Sequence, residues 1–350
     1  MKIALLTIWH VKNYGAELQT YATVKALNKM GHDVSVIDIR LTDMGTPSFA
    51  GRIIEKIERH GSLNKKFERF WNKNIPATKH YKSVQSLICN CPEADLYMVG
   101  SDQVWNPSIT KDYANLFFLS FVPSGCKKIA YSSSFGTEEW RHPQLTEEIK
   151  VLLSQFAFLS CRESSGVKIL KDVFSLSSNN VLDPTLLFPS YPELTGKINE
   201  CNTFVCYPLS TDPELLKFSD IISKQLGLKL VNNNKKYMLL SKIQWDGVAV
   251  EEWVKNIAQA KFVLTRSFHG VAFSILYNRQ FAVVEGNMNV STRIVDLLNK
   301  LGLQSRMFKS FDELMKKEPW VHTIDYSKVN CILNNERDRS LKILGSMMIH

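Results

Sequence analysis

Short apolar runs alternate along the chain with segments whose apolar residues recur at helical spacing. Lys2–Ile8 reads as a strand, Asn13–Ala16 as a turn, and Glu17–Lys29 as a helix with Leu18, Tyr21, Ala22 and Leu27 at helical spacing. Gly31 stops that helix, and Asp33–Ile39 reads as a second strand. Strand, helix and strand in this order imply a parallel sheet, which takes ligands beyond the carboxyl ends of its strands. Strand-like runs recur at Leu96–Val99, Lys128–Ser132 and Phe156–Cys161, with a helix from Ser164, and Val181–Pro184 closes this half. The prolines and polar residues of 184–203 read as an interdomain linker. The pattern then restarts, with strands at Phe204–Tyr207, Leu228–Val231, Lys261–Thr265 and Gln280–Val284. Helices are expected near Pro213–Leu226, Glu251–Ala258 and His269–Tyr277. There is no internal repeat. The expectation is an α/β protein of two Rossmann-like parallel-sheet domains facing a cleft, at 1–190 and 200–325. A tail helix at 326–350 is expected, with the N-terminal domain as a surface it could pack back on.

A chain of 350 residues, 45% hydrophobic, has enough material for two cores. The formal charge of +9 favours an anionic partner: a phosphorylated metabolite, a nucleotide, an acidic lipid surface or a nucleic acid. No nucleic-acid-binding module accompanies the charge, so nucleic acid is set aside. Neither a G-x-x-x-x-G-K-[ST] run nor a G-x-G-x-x-G run is present, which leaves a P-loop or dinucleotide site unsupported. The apolar run after Met1-Lys2 is too short for a signal-peptide core, and no stretch approaches membrane-spanning length. The expected location is cytoplasmic, with seven reduced cysteines. Cys89 and Cys91 form a C-x-C without a second ligand pair, so no metal is expected. The segment 52–82 is basic and helical in pattern. Its stripe of Ile53, Ile54, Ile57, Phe67, Phe70 and Trp71 could rest on an acidic inner-membrane face, or pack on its own domain with a solvated basic side.

Chemistry is sought in the polar clusters that come after strands. The strongest is Thr265–Gly270, ahead of an apolar helix whose N-terminus suits a phosphate or carboxylate. Arg266 can add a guanidinium and Ser267 a hydroxyl or an N-cap, with Gly270 clustered beside them. His269 can exchange a proton near neutral pH, although a helix N-terminus disfavours imidazolium unless an anion lies close. Asp102, in Gly100–Asn106, could serve as general base, orient another residue, or cap Gln103 and the residues after it. Trp105 could offer a face to a sugar or belong to the core. Arg162 beside Glu163 could be an anion clamp or a surface ion pair. Asn13, Tyr14 and Gly15 precede a helix and suit an anion or a hydroxyl.

Seven segments in order resemble the polysaccharide pyruvyl transferase family: Asn13–Ala22, Val99–Pro107, Ala130–Gly136, Cys161–Gly166, Val181–Leu187, Thr265–Phe281 and Ser291–Leu303. The resemblance implies a GT-B-like fold with its active site in the interdomain cleft. It also implies transfer of pyruvate from phosphoenolpyruvate to two hydroxyls of one sugar, giving a cyclic ketal. His269 maps to the family acid/base and Arg162 to a donor contact. Many members carry Arg two residues before the histidine; here that place is Ser267, with Arg266 one residue earlier. The expected site therefore comprises His269 and Asp102 as catalytic residues. Arg162, Arg266, Ser267, Gly270 and Ser134 are expected around the donor, and Asn13, Tyr14, Gly15 and Trp105 around a glycan or lipid-linked acceptor. No cofactor is expected beyond phosphoenolpyruvate as substrate. A nucleotide-sugar glycosyltransferase and a non-catalytic glycan- or anion-binding protein are the alternatives.

Overall fold

The computed structural model describes residues 1–40, 62–208, 212–232, 234–239, 242–285 and 292–349. In the N-terminal half the described strands are β1 (Lys2–Leu6), β2 (Asp33–Val36), β3 (Leu96–Val99), β4 (Lys128–Ser133), β5 (Phe158–Cys161) and β6 (Asn179–Asn180). They form one parallel sheet in the order β2-β1-β3-β4-β5-β6. In the C-terminal half β7 (Thr203–Tyr207), β8 (Lys229–Asn232), β11 (Phe262–Thr265), β12 (Gln280–Val284) and β13 (Met307–Phe308) form a second parallel sheet, ordered β13-β12-β11-β7-β8. In each sheet the order reverses beside the first strand. The crevices at β1/β3 and β7/β11 are therefore where such sheets receive ligands. An antiparallel hairpin, β9 (Asn234–Leu239) with β10 (Lys242–Gly247), was not expected from the sequence, because no Gly or Pro marks its turn.

Helix α1 (Tyr14–Lys29) starts at Asn13, whose side-chain oxygen accepts from Gly15 N at 2.9 Å and Ala16 N at 3.3 Å. Tyr14 then joins the halves. Its ring stacks on Trp253 at 5.4 Å and meets Tyr207 edge-on at 5.7 Å, and its hydroxyl donates to Val248 O. Helix α2 (Ser62–Asn74) buries Leu63, Phe67, Phe70 and Trp71 against the protein, while Lys65, Arg69 and Lys73 face solvent. The apolar stripe of 62–74 is thus occupied internally. Ile53, Ile54, Ile57, Lys56 and Arg59 lie outside the described residues. Among the described residues no helix is long and apolar enough to cross a membrane.

The stretch read as a linker is held in the core. Leu186, Leu187, Phe188, Tyr191 and Leu194 are all buried, because apolar side chains interleave with its prolines. The last helix, α3 (Tyr326–Ile349), is tied to this stretch. Arg337 Nε donates to Leu186 O at 2.9 Å, and Ser340 Oγ accepts from Leu182 N at 3.0 Å.

Candidate active site

Asp183 stands at the centre. It lies after β6 and precedes Pro184, so its Oδ1 caps the next turn, accepting from Thr185 N at 2.9 Å and Thr185 Oγ1 at 2.6 Å. Oδ2 faces inward and accepts from Arg162 Nη1 at 2.7 Å and Ser101 Oγ at 3.1 Å. His269 Nε2, from the other domain, lies 3.7 Å from the same oxygen, in ion-pair contact. Burial alone would raise the Asp183 carboxyl. The His269 imidazole, the Arg162 guanidinium and Thr185 outweigh it and hold Asp183 well below the usual carboxylate range.

Arg162 leaves β5 with a side chain only 1% exposed. Burial disfavours its charge, but Asp183, Asp102 and Glu163 more than compensate. Nη1 is committed to Asp183, whereas Nε and Nη2 are buried without a hydrogen bond. Nη2 lies 3.5 Å from Asp102 Oδ1, and Arg293 Nη1 reaches the same oxygen at 3.5 Å from the opposite domain. Asp102 sits at φ 75° and accepts from Gln103 N at 2.8 Å. A non-glycine residue in that region is strained and is held there by its surroundings. Burial raises the Asp102 carboxyl, but Arg162, Arg293 and His269 bring it below its ordinary value. Burial and the neighbouring Arg162 lower Arg293 to about 10. Both guanidiniums lie against the Phe268 ring, at 4.6 Å and 5.8 Å from its centroid.

Glu163 does not form a surface ion pair with its neighbour Arg162. It is fully buried, and its Oε1 gathers Ser134 Oγ (2.9 Å), Phe135 N (3.1 Å) and Gly136 N (3.3 Å). A register shift between β4 and β5 at Ala130/Ser133, with Ser132 at φ 58°, turns this loop toward the cleft.

Helix α4 (Phe268–Leu276) is capped by Ser267, which accepts from Gly270 N at 3.4 Å. A Cβ on Gly270 would lie 2.6 Å from Thr265 Oγ1, so glycine allows strand and helix to meet closely. His269 is in the first turn of α4. A Cβ on Gly15 would lie 2.0 Å from its Nδ1, so the imidazole is confined between α1 and Asp183. Asn13 and Ser267 act as helix caps, and Ser134 is committed to Glu163. Tyr14 packs between the domains. Two expected residues are not brought into this group. Arg266 turns toward Asp212 and Glu214, each at 3.1 Å. Trp105 is wholly buried, stacked on Phe118 and hydrogen-bonded to Phe117 O, and offers no face to a sugar.

Asp183, Arg293 and Glu163 were not singled out by the sequence. All three lie inside family-like segments, Glu163 only as the neighbour of Arg162, and that was the only available signal. A recess beside the cluster is lined by Arg162, Asp183, Phe268, Arg293, Asp296 and Lys300. Among the described residues no group of three or more His, Cys, Asp or Glu side chains is placed to hold a metal ion.

The profile of the polysaccharide pyruvyl transferase family matches residues 13–287. The chain belongs to that family. No curated protein matches it by sequence. Solved structures resemble it throughout at low identity. The UDP-GlcNAc 2-epimerase of Neisseria meningitidis, bound to UDP-GlcNAc, is 12% identical, covers 100% of each chain and gives a TM-score of 0.53. That of Methanocaldococcus jannaschii is 10% identical, covering 99% of this chain and 100% of its own at 0.53. The UDP-N-acetylglucosamine 2-epimerase of Rickettsia bellii is 10% identical, covering 99% and 96% at 0.51. These likenesses show the GT-B fold of this pyruvyl transferase family member and nothing of its substrate.

Proposed function

We propose that the protein transfers pyruvate from phosphoenolpyruvate to two hydroxyls of one sugar in a cell-surface polysaccharide or its precursor, forming a cyclic ketal. One observation carries this reading. Across the cleft, His269 and Arg162 meet at Asp183, and two buried nitrogens of Arg162 have no hydrogen-bond partner, next to a second guanidinium from Arg293. A buried guanidinium with unmet donors suits a small anion carrying phosphate and carboxylate. Phe268, beneath both guanidiniums, suits the apolar methylene between those groups.

In the proposed reaction His269 delivers a proton to the methylene carbon, and C2 becomes an oxocarbenium-like electrophile. A sugar hydroxyl attacks C2, its proton passing to Asp102, which Arg162 and Arg293 keep ionised at some loss of basicity. The C2–O bond to phosphate breaks, and a second hydroxyl closes the ketal. Asp102 passes its proton to the departing phosphate, and the proton of the second hydroxyl restores His269. Arg162 and Arg293 hold the donor's negative charge throughout.

The test is phosphate release from phosphoenolpyruvate against a panel of sugar acceptors, beside a thermal-shift screen. Stabilisation by UDP or GDP sugars, but not by phosphoenolpyruvate, would turn the assignment to a nucleotide-sugar glycosyltransferase. Ligand binding with no phosphate release from any acceptor mixture would turn it to a non-catalytic binding protein. The basic face of α2 leaves contact with an acidic membrane as a further proposal, which flotation with anionic liposomes tests. An absence of salt-sensitive binding would sink it.

A further inference from the structure

His269 stands in the first turn of α4, where the helix dipole opposes a positive charge. A proton donor in that place requires a counter-charge, and the C-terminal domain's own carboxylates do not supply it. Asp212 and Glu214 are taken by Arg266. Asp183 of the N-terminal domain does, 3.7 Å from Nε2 and fully buried, with its other contacts made to Arg162, Ser101 and Thr185. Gly15, also of the N-terminal domain, sets the opposite wall of the imidazole.

We infer that Asp183 is the positioning residue for His269, so that the proton donor on one domain is completed by a carboxylate of the other. The inference rests on the pyruvyl-transfer reading for its kinetic consequence, but not for the pairing itself. The other charged or titratable groups around the pair are Arg162, Asp102, Glu163 and Arg293, with the phenols of Tyr131 and Tyr191. Arg162 answers the Asp183 charge as well, so one carboxylate sets both the donor-binding guanidinium and the acid.

The experiment uses the full-length protein. Asp183→Asn keeps an acceptor for Arg162 Nη1 and removes the charge that faces His269. With no substrate present, the imidazole 15N resonances of His269 should move in D183N relative to wild type at fixed pH, because the charged neighbour 3.7 Å from Nε2 is gone. Unchanged resonances overturn the inference. If D183N does not fold, Gly15→Ala should move the same resonances, and their constancy is equally fatal. In turnover, D183N should lose about 10²–10⁴-fold in kcat, with KM for phosphoenolpyruvate changed by less than about fivefold. Gly15→Ala, which displaces the ring and leaves every charge in place, should show the same split. A D183N enzyme with near-wild-type kcat refutes the inference and leaves pyruvyl transfer standing. His269 resonances that respond to D183N in a protein that releases no phosphate from any acceptor support the pairing and refute pyruvyl transfer.

Discussion

Glu17 lies two residues beyond Gly15 on α1, fully buried, and its Oε1 accepts from Val11 N at 2.9 Å. It thereby holds the loop between β1 and Asn13, the loop that brings Gly15 against His269. Burial pushes its carboxyl from 4.5 up to about 8, against the opposing bond from Val11 N. The sign of the consequence comes from proton counting. Below about pH 4.5 the group is protonated whether the chain is folded or not. Between about 4.5 and 8 the folded chain keeps a proton that the unfolded chain releases, so stability falls as pH rises; above about 8 the dependence ends. At about 1.4 kcal/mol per pH unit, that interval amounts to about 5 kcal/mol. Glu17→Gln preserves shape and the bond from Val11, and cannot ionise. Urea unfolding monitored by circular dichroism should find E17Q and wild type nearly equal at about pH 5. The variant should pull ahead by about 1.4 kcal/mol for each pH unit up to about pH 8. Parallel pH profiles for the two proteins would show that Glu17 ionises freely in the fold, and the burial argument would fail.

His269→Gln should keep the fold by circular dichroism and lose about 10²–10⁴-fold in kcat for phosphate release. Arg162→Met leaves Asp183 buried without its main partner and should destabilise the protein by about 3–5 kcal/mol in urea melts. Arg266→Ala breaks only partly exposed pairs with Asp212 and Glu214, so it should change stability by less than about 1 kcal/mol and leave phosphoenolpyruvate affinity unaltered by calorimetry. Arg293→Ala removes one charge-assisted contact of about 1.5–3 kcal/mol and should weaken that affinity by about 10- to 100-fold.

The sequence made the local devices of the site legible. Ser267 and Gly270 at a strand-to-helix junction announced a capped helix, and the cap is there. Asn13 reads as a turn residue suited to an anion or a hydroxyl, and its side chain instead caps the following helix. Pairings between distant segments were hidden. Asp183 stands in the sequence only within the close of the first half, and its Oδ1 caps the next turn. That its other oxygen serves Arg162 and His269 depends on β5, β6 and α4 converging, which no local pattern encodes. Arg266 and Arg162 read alike as arginines after strands, yet one residue of displacement sends Arg266 away from the cleft. Trp105 had two readings, and the aromatic neighbours that settle it lie far along the chain, at Phe118, Phe135 and Phe156.

The charges of the site also bear on why it spans two domains. Arg162 is matched by Asp183 at 2.7 Å, while Arg293 and the rest of Arg162 share Asp102 at 3.5 Å each. Those two longer contacts are the weak members of the set, and Asp102 is held in a strained backbone conformation to make them. A phosphate or carboxylate oxygen can approach a guanidinium to about 2.8 Å and accept two of its donors at once. The donor therefore has the advantage over Asp102 for the guanidiniums, and it has none over Asp183. In the proposed reaction a displaced Asp102 is a free carboxylate beside the donor, where the attacking hydroxyl gives up its proton. With Arg293 and His269 on one domain and Arg162, Asp102 and Asp183 on the other, neither half holds an anion and an acid together. In the proposed reaction the chemistry needs both halves of the site.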